Sequence, residues 1–253
     1  MTARAVSLVS SLAAAVLMAA CTNYFEIPIE TPIRPKLDVT AFQRVLVAGF
    51  LSGGTEDVDA NLETTRLLRS QLRTKSELRV IDVDTLPLME VANESRADRA
   101  PAEGAGSTPA IKEEKDLETY EHLFANVDYW KRIGEEHQQP LIVTGTIMFM
   151  PHQRNNLVQR DEESFDSFGR RRVQPTRVYV ERKGFRLSGR FVFIDGRTGA
   201  VIHSTTAGEE ILYAANQVTP ALSSYFELMD RVIPTFLSTL SNQKVKGTRV
   251  LLN

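Results

Sequence analysis

The segment LIVTGTIMFM, residues 141–150, is a nearly continuous apolar run, and it decides the fold. Pro140 stands before it, so the run begins a new element. An apolar strand of this kind is covered by other elements on both faces, as in α/β proteins. Gly145 within the run predicts either a β-bulge or a close approach of another backbone.

A strand, a helix and a second strand are expected upstream of this central strand. FQRVLVAGF (42–50) has the apolar core Val45–Val47 and predicts a buried strand. NLETTRLLRSQLRTKS (61–76) predicts a helix, because its leucines recur near helical spacing. LRVIDVD (78–84) predicts the second strand.

A long helix is expected from Asp116 to about His137. Its apolar residues recur every three or four positions and form one stripe: Leu117, Tyr120, Phe124, Val127, Trp130 and Ile133. This spacing indicates that the only tryptophan belongs to the core.

Two or three more strands and a closing helix are expected downstream. Residues 184–213 predict the strands, with a turn at Asp195–Gly199. Residues 219–241 predict the helix, and Pro234 is expected to kink it. The sequence therefore predicts an α/β fold: a three-layer or two-layer sandwich with a mixed sheet of about five strands and three main helices.

A single domain, residues 39–243, is expected to carry two insertions. Residues 92–115 are rich in Ala, Pro, Gly, Ser and charge, which predicts a mobile segment. Residues 151–184 predict a charged, soluble hairpin or loop. The C-terminal tail, residues 244–253, is expected to add an edge strand.

Residues 1–20 have the pattern of a secretory signal peptide. Arg4 supplies a positive charge, and Ala5–Ala20 is apolar and uncharged. This run is shorter than the roughly 20 residues that a spanning helix needs, so cleavage is expected.

Cys21, the only cysteine, follows Ala19 and Ala20 directly. The arrangement resembles the bacterial lipobox, in which signal peptidase cuts before a cysteine that then carries acyl chains. The resemblance implies that Cys21 is a lipid anchor, with no thiol left for disulfides, metals or catalysis. In the bacterial lipoproteins that this arrangement resembles, Asp directly after the cysteine favours retention in the inner membrane. This chain has Thr22 there, so the resemblance implies that the protein lies on the periplasmic face of the outer membrane. An ordinary signal peptide with an incidental cysteine is the alternative.

Residues 21–38 predict a lipid-anchored, proline-rich tether. Pro28, Pro32 and Pro35 favour extended backbone, so the segment is expected to hold the body away from the membrane. The alternative is an edge strand on the body, formed by Tyr24, Phe25, Ile27 and Ile29.

Three segments carry a resemblance to a family of bacterial envelope proteins: RVLVAGF (44–50), LIVTGTI (141–147) and RFVFIDGRTGAVIHSTTAGEEILY (190–213). Over about residues 42–241 the chain resembles the family of the curli secretion lipoprotein. More distantly, that family includes the lipoprotein activators of penicillin-binding proteins and the amino-terminal domain of the Tol beta-propeller protein. The family has no shared catalytic residues, so the resemblance implies a scaffold that binds other envelope components.

The curli branch of this family builds a pore from membrane hairpins, so a pore subunit is the alternative function. The second half of residues 151–184 argues against it. In a strand, alternate residues share a face. One face would carry Arg177 and Glu181, and the other would carry Arg182, so neither face could contact lipid without burying charge. An arginine on the lipid face at the bilayer midplane costs about 2–4 kcal/mol.

The sequence lacks the motifs of phosphate-binding, metal-binding and catalytic sites. Gly53 and Gly54 lie between a strand and a helix, but Glu56, Asp57 and Asp59 would repel a phosphate there and suit helix capping instead. The histidines, His122, His137, His152 and His203, have no ligand spacing, so neither a metal nor a cofactor is expected. No GxSxG motif or evident carboxylate pair predicts catalysis. The formal net charge of -2 differs from the positive charge that is typical of nucleic-acid-binding proteins.

Arg170, Arg171 and Arg172 form the sharpest basic run, and Asp161, Glu162, Glu163 and Asp166 precede it. The run predicts either a self-neutralising solvated loop or a partner-binding loop. The sequence as a whole predicts a noncatalytic outer-membrane lipoprotein on the periplasmic face. It is expected to act as an accessory or assembly factor that binds an envelope protein, either as a monomer or as an oligomer.

Overall fold

The computed structural model describes residues 24–97, 111, 113–165, 167–214, 216–217 and 219–252. The predicted signal peptide and Cys21 lie outside these residues. The chain divides into two compact units, of which one is residues 35–241 and the other consists of the segments before and after it.

The strands are β1 (Tyr24–Ile33), β2 (Arg44–Gly54), β3 (Arg79–Ile81), β4 (Leu141–Phe165), β5 (Arg171–Asp195), β6 (Val201–Ala214) and β7 (Gln243–Leu252). The larger unit contains a five-stranded sheet in the order β3-β2-β4-β5-β6. β2 pairs in parallel with β3 and β4, whereas β4, β5 and β6 pair antiparallel. The sheet is therefore mixed, as predicted.

The helices are α1 (Ala60–Lys75), α2 (Leu88–Ala97), α3 (Glu114–Glu118), α4 (Glu121–Phe124), α5 (Val127–Glu136) and α6 (Ala221–Leu240). One face of the sheet packs against α1 and α6, and the other packs against α2, α4 and α5. Alternate residues of β4 enter the two cores, with Val143 on the α6 side and Ile142 on the α5 side. The predicted α/β class is confirmed, and its form is the three-layer sandwich.

The central strand is buried on both faces, and its glycine has a structural role. Leu141, Ile142 and Val143 are fully buried. Gly145 has a φ of 147°, and a Cβ on it would lie 1.8 Å from the carbonyl oxygen of Arg190 on β5. Close approach is thus the interpretation that the structure supports at Gly145, whereas the register shift lies in β2, between Val47 and Gly49.

The long helix predicted for residues 116–137 is instead three short helices, α3, α4 and α5. The side chain of Asn126 accepts a hydrogen bond from the backbone N–H of Tyr129 at 3.2 Å, and this cap starts α5 as a new helix. Trp130 is fully buried, as the spacing predicts, and its indole N–H donates to the carbonyl of Leu123 at 2.8 Å.

The ordered body extends into the segment predicted as an insertion at 92–115. Residues 92–97 complete α2, and Ala92 is buried. Ile111 is buried too, and its carbonyl accepts a hydrogen bond from the N–H of Gly54 at 3.0 Å. The predicted mobility of residues 98–110 and 112 concerns positions outside the described residues.

The closing helix α6 contains Pro234 and is linked to α1 by Tyr225. The Tyr225 hydroxyl shares a hydrogen bond with that of Thr64 at 2.5 Å and donates to the carbonyl of Ala60 at 3.1 Å. Burial raises the pKa of Tyr225, so this hydroxyl stays protonated.

The smaller unit contains a two-stranded antiparallel sheet of β1 and β7, which we call the terminal ribbon. Its register runs without interruption from Tyr24 opposite Leu252 to Ile33 opposite Gln243. This differs from the expected single-chain tether and from an edge strand on the body, because the proline-rich segment pairs with the C-terminal tail. The ladder satisfies backbone groups that a lone extended chain would leave to water.

Candidate partner-binding surface

A long hairpin of β4 and β5 extends past the rest of the central sheet. β2 pairs with β4 only as far as Phe149, and β6 pairs with β5 only as far as Arg182. Beyond these positions, residues 155–165 and 171–181 pair only with each other. We call these two segments, together with residues 167–170 of the turn between them, the outer hairpin; at about 3.3 Å per residue its strands are roughly 35 Å long.

The outer hairpin carries large apolar side chains that water contacts. Leu157 and Tyr179 pair across the two strands and are 54% and 74% exposed. In the next row, Val158 pairs with Val178 on the opposite face, and both are exposed. Exposed apolar groups on one projecting element are typical of a contact surface.

The tip of the outer hairpin combines aromatic and basic residues. Phe165 is 70% exposed and Phe168 is 81% exposed. The predicted loop residues lie here: Arg170 places its guanidinium 5.4 Å from the Phe168 ring centre, and Arg171 forms an ion pair with Glu163. Arg172 follows in β5 and also takes part in an interaction. Acidic neighbours thus partly neutralise the arginine run.

Polar side chains at the base of the hairpin contact β6. Arg154 and His152 reach the carboxylate of Glu210 on β6 at 2.9 and 3.3 Å. They reach past Gly184, which pairs with His152 in the adjoining strand and has no side chain. A Cβ at Gly184 would lie 1.9 Å from the carbonyl oxygen of Ile211. The base of the hairpin therefore contacts β6 through side chains as well as through the β5–β6 ladder.

A groove of about 380 Å³ lies between the short helices and the sheet. Glu114, Glu118 and Glu121 line one wall, and Arg186 and Arg190 line the other. Arg190 forms an ion pair with Glu121 and donates to the Ser204 hydroxyl at 3.1 Å. Sequence reasoning missed this groove, because only the fold brings residues 114–121 beside residues 186–208.

A second cavity, of about 420 Å³, lies where β2 leads into α1. The side chain of Asp59 caps α1 by accepting a hydrogen bond from the N–H of Leu62 at 3.0 Å, as the predicted capping role requires. Asp57 accepts a hydrogen bond from the Thr55 hydroxyl at 2.8 Å. These carboxylates make the start of α1 unfavourable for a phosphate.

The four histidines belong to four different segments of the fold. His122 contacts the carbonyl of Thr119 through Nδ1 at 2.9 Å, and His137 ends α5. His152 lies beside Glu210, and the ring of His203 is 5.9 Å from that of Phe193. Over the residues described, no three His, Cys, Asp or Glu side chains group as metal ligands. Likewise, within those residues there is no helix with the length and apolar character to cross a membrane.

Comparison with known proteins gives only distant structural likenesses. No protein-family model and no curated protein matches the chain. Its fold is similar to a lipoprotein from Neisseria meningitidis, with 12% identity and a TM-score of 0.35, over 76% of this chain and 96% of that one. It is also similar to the PelC dodecamer from Paraburkholderia phytofirmans, with 14% identity and a TM-score of 0.35, over 86% and 99% of the two chains. At these TM-scores the likeness assigns neither family nor function, and the resemblance to the curli lipoprotein family stays a prediction.

Proposed function

We propose that this chain is a noncatalytic lipoprotein of the outer membrane that faces the periplasm. The observation that carries the proposal is the boundary at Cys21, where an uncharged apolar run ends in Ala19, Ala20 and the only cysteine. Each buried methylene of an acyl chain adds about 0.8 kcal/mol to membrane affinity, so a multiply acylated cysteine is held almost permanently. The body then works at the membrane surface.

The proposed role is that of an accessory or assembly factor, which binds another envelope component through the outer hairpin. This element projects beyond the central sheet and exposes Leu157, Tyr179, Phe165 and Phe168. Tyrosine and phenylalanine supply large contact area at low entropic cost, and arginine adds polar contacts at the rim. A protein partner is the component that this mixture fits best.

Metabolic labelling with a fatty-acid probe tests the anchor. We expect label on the wild-type protein and on the matched control Thr22→Ser, and none on Cys21→Ser. A second substitution, Thr22→Asp, is expected to move the protein from the outer to the inner membrane fraction. Label that persists on Cys21→Ser would refute lipidation at this residue.

Site-specific photocrosslinking in intact cells tests the partner surface. A photoreactive residue in place of Tyr179 is expected to yield one reproducible adduct with an envelope protein. The control position is Val201, which is 45% exposed but lies at the start of β6, away from the outer hairpin. Equal amounts of adduct from both positions, or no adduct from position 179, would contradict the proposal that the outer hairpin binds the partner.

A subunit of a curli-type secretion pore is the second candidate, and the projecting hairpin favours it. Against it, cross-strand rows on both faces carry charge: Gln159 pairs with Arg177, and Arg160 pairs with Thr176. Gentle detergent extraction followed by mass measurement separates the two functions. A stable membrane-embedded ring supports the pore, whereas a monomer or dimer after removal of residues 1–21 supports the accessory factor.

A further inference from the structure

The terminal ribbon has one face that carries three isoleucines and an opposite face that carries most of its charged residues, with Val250 also exposed there. In β1, Ile27, Ile29 and Ile33 share a face because side chains alternate along a strand, and they are 44%, 39% and 50% exposed. The intervening residues include Glu30, which forms ion pairs with Lys244 at 3.3 Å and Lys246 at 3.9 Å. These pairs lie on the opposite face.

An isolated two-stranded sheet is at best marginally stable in water, and an exposed apolar face does not improve this. The described residues of this unit include no helix. The isoleucine face therefore gains free energy from any apolar medium that covers it.

The position of the ribbon in the sequence identifies that medium. Ile27 follows Cys21 by only six residues, so it lies within about 20 Å of the anchored sulfur even if the chain between them is fully extended. Any bilayer that receives the acyl chains of Cys21 is therefore within reach of the isoleucine face.

We propose that the isoleucine face of the terminal ribbon lies flat on the lipid surface that holds the acyl chains of Cys21. The proposal rests on the proposed lipid anchor and adds a second, protein-based contact with the same bilayer. Arg249 pairs with Ile27 in register and belongs to this face. Its long apolar stem lets the guanidinium reach anionic headgroups while the isoleucines contact the acyl region.

A lipid surface fits better than a second copy of the chain for two reasons. The anchor keeps the ribbon beside lipid at every protein concentration, whereas a second copy must be met by diffusion. The face also includes Arg249, whose charge would be buried between two packed copies but can reach headgroups on a lipid surface.

Cysteine scanning of the full lipidated protein tests the proposal, because acylation leaves no other thiol. Ile27→Cys and Ile29→Cys report the isoleucine face, while Glu26→Cys and Glu30→Cys are matched controls on the other face. Each variant carries an environment-sensitive fluorophore and is placed in vesicles of phosphatidylethanolamine and phosphatidylglycerol. We expect lipid-resident spin labels to quench positions 27 and 29 several-fold more than positions 26 and 30, and aqueous iodide to show the reverse.

Three results would overturn the proposal. Equal quenching at all four positions would show that no face prefers lipid. Quenching that falls steadily with distance from Cys21 would show an upright ribbon. If positions 27 and 29 became more protected from iodide as the density of protein in the vesicles rose, without being quenched by the lipid spin labels, a second copy would cover this face. The fatty-acid label on Cys21 is measured in the same samples, so loss of the anchor and loss of the ribbon contact are distinguishable.

Discussion

At the scale of single residues, the close pairing of β4 with β5 requires glycine at position 145. Gly145 lies in the middle of β4, where its φ of 147° suits glycine and where β5 approaches so closely that a Cβ would overlap the Arg190 carbonyl. The position is predictable from sequence as special, because a glycine interrupts an apolar run. Which of the two interpretations holds depends on the partner strand, which is about 45 residues away along the chain.

Gly145→Ala is expected to destabilise the body by about 2–5 kcal/mol, because it adds both backbone strain and steric overlap. Denaturant unfolding measures this as a lower midpoint at unchanged slope. The control Gly208→Ala, in β6 of the same sheet, should leave the midpoint nearly unchanged, since its Cβ would lie no closer than 3.6 Å to another atom. A similar loss in both variants would contradict the assigned role.

Asp195 is expected to make stability depend on pH at the β5–β6 turn. Partial burial raises the pKa of this carboxyl, but hydrogen bonds from the side chain and backbone of Arg197, and its charge, outweigh burial and lower the pKa overall. A lowered folded-state pKa gives stability that is present above the unfolded value of about 3.9 and is lost as pH falls through the folded value. Asp195→Asn should therefore cost about 1 kcal/mol near neutral pH and almost nothing in acid. Urea unfolding of both proteins at several pH values measures the difference, and a cost that is constant with pH would contradict it.

At the scale of elements, sequence periodicity identifies those with continuous apolar patterns. The buried parts of β2 and β4 and the closing helix α6 lie where such patterns predict them. The stripe from Leu117 to Ile133 predicts burial correctly except at Val127, which is 45% exposed. It does not predict three helices, since a stripe does not show that Asn126 caps a new one. Pairing of the proline-rich segment with the C-terminal tail joins positions about 220 residues apart, which no local pattern encodes.

The outer hairpin is expected to be dispensable for folding. A variant with Asn-Gly in place of residues 157–179 joins Asn156 to Val180, which already pair, through a turn type that suits a two-residue hairpin. The body should melt within about 2–4 °C of the wild type, which corresponds to roughly 1 kcal/mol. Circular dichroism measures the melting temperature, and photocrosslinking shows whether partner binding is lost. A much larger fall in melting temperature would mean that the hairpin helps hold the sheet together.

At the scale of the whole molecule, both cores belong to one unit. The cluster under α1 and α6 and the cluster under α2, α4 and α5 are formed by residues between Leu37 and Leu240. Sequence composition predicts such a single domain, because its apolar patterns begin and end near these positions. The groove beside α3 and α4 is not predictable in this way, since its walls come from segments with no shared pattern.

Residues 35–241 alone are expected to fold and to unfold cooperatively at the melting temperature of residues 22–253. The reason is that all the buried residues of both cores lie within this range. Differential scanning calorimetry of the fragment and of residues 22–253 makes the comparison. A fragment that lacks a cooperative transition would show that the terminal ribbon is needed for the fold.

The prolines of the terminal ribbon determine which of its edges can pair with a further strand. Pro28 and Pro32 are four residues apart, so both lack an N–H on the same edge of β1, and the unbroken register with β7 makes this the outer edge. Chains confined to a two-dimensional layer meet far more often than chains in solution, and open strands in such a layer can nucleate a growing fibre. Because this edge lacks two donors, a second ribbon would find an incomplete ladder there, which opposes such growth.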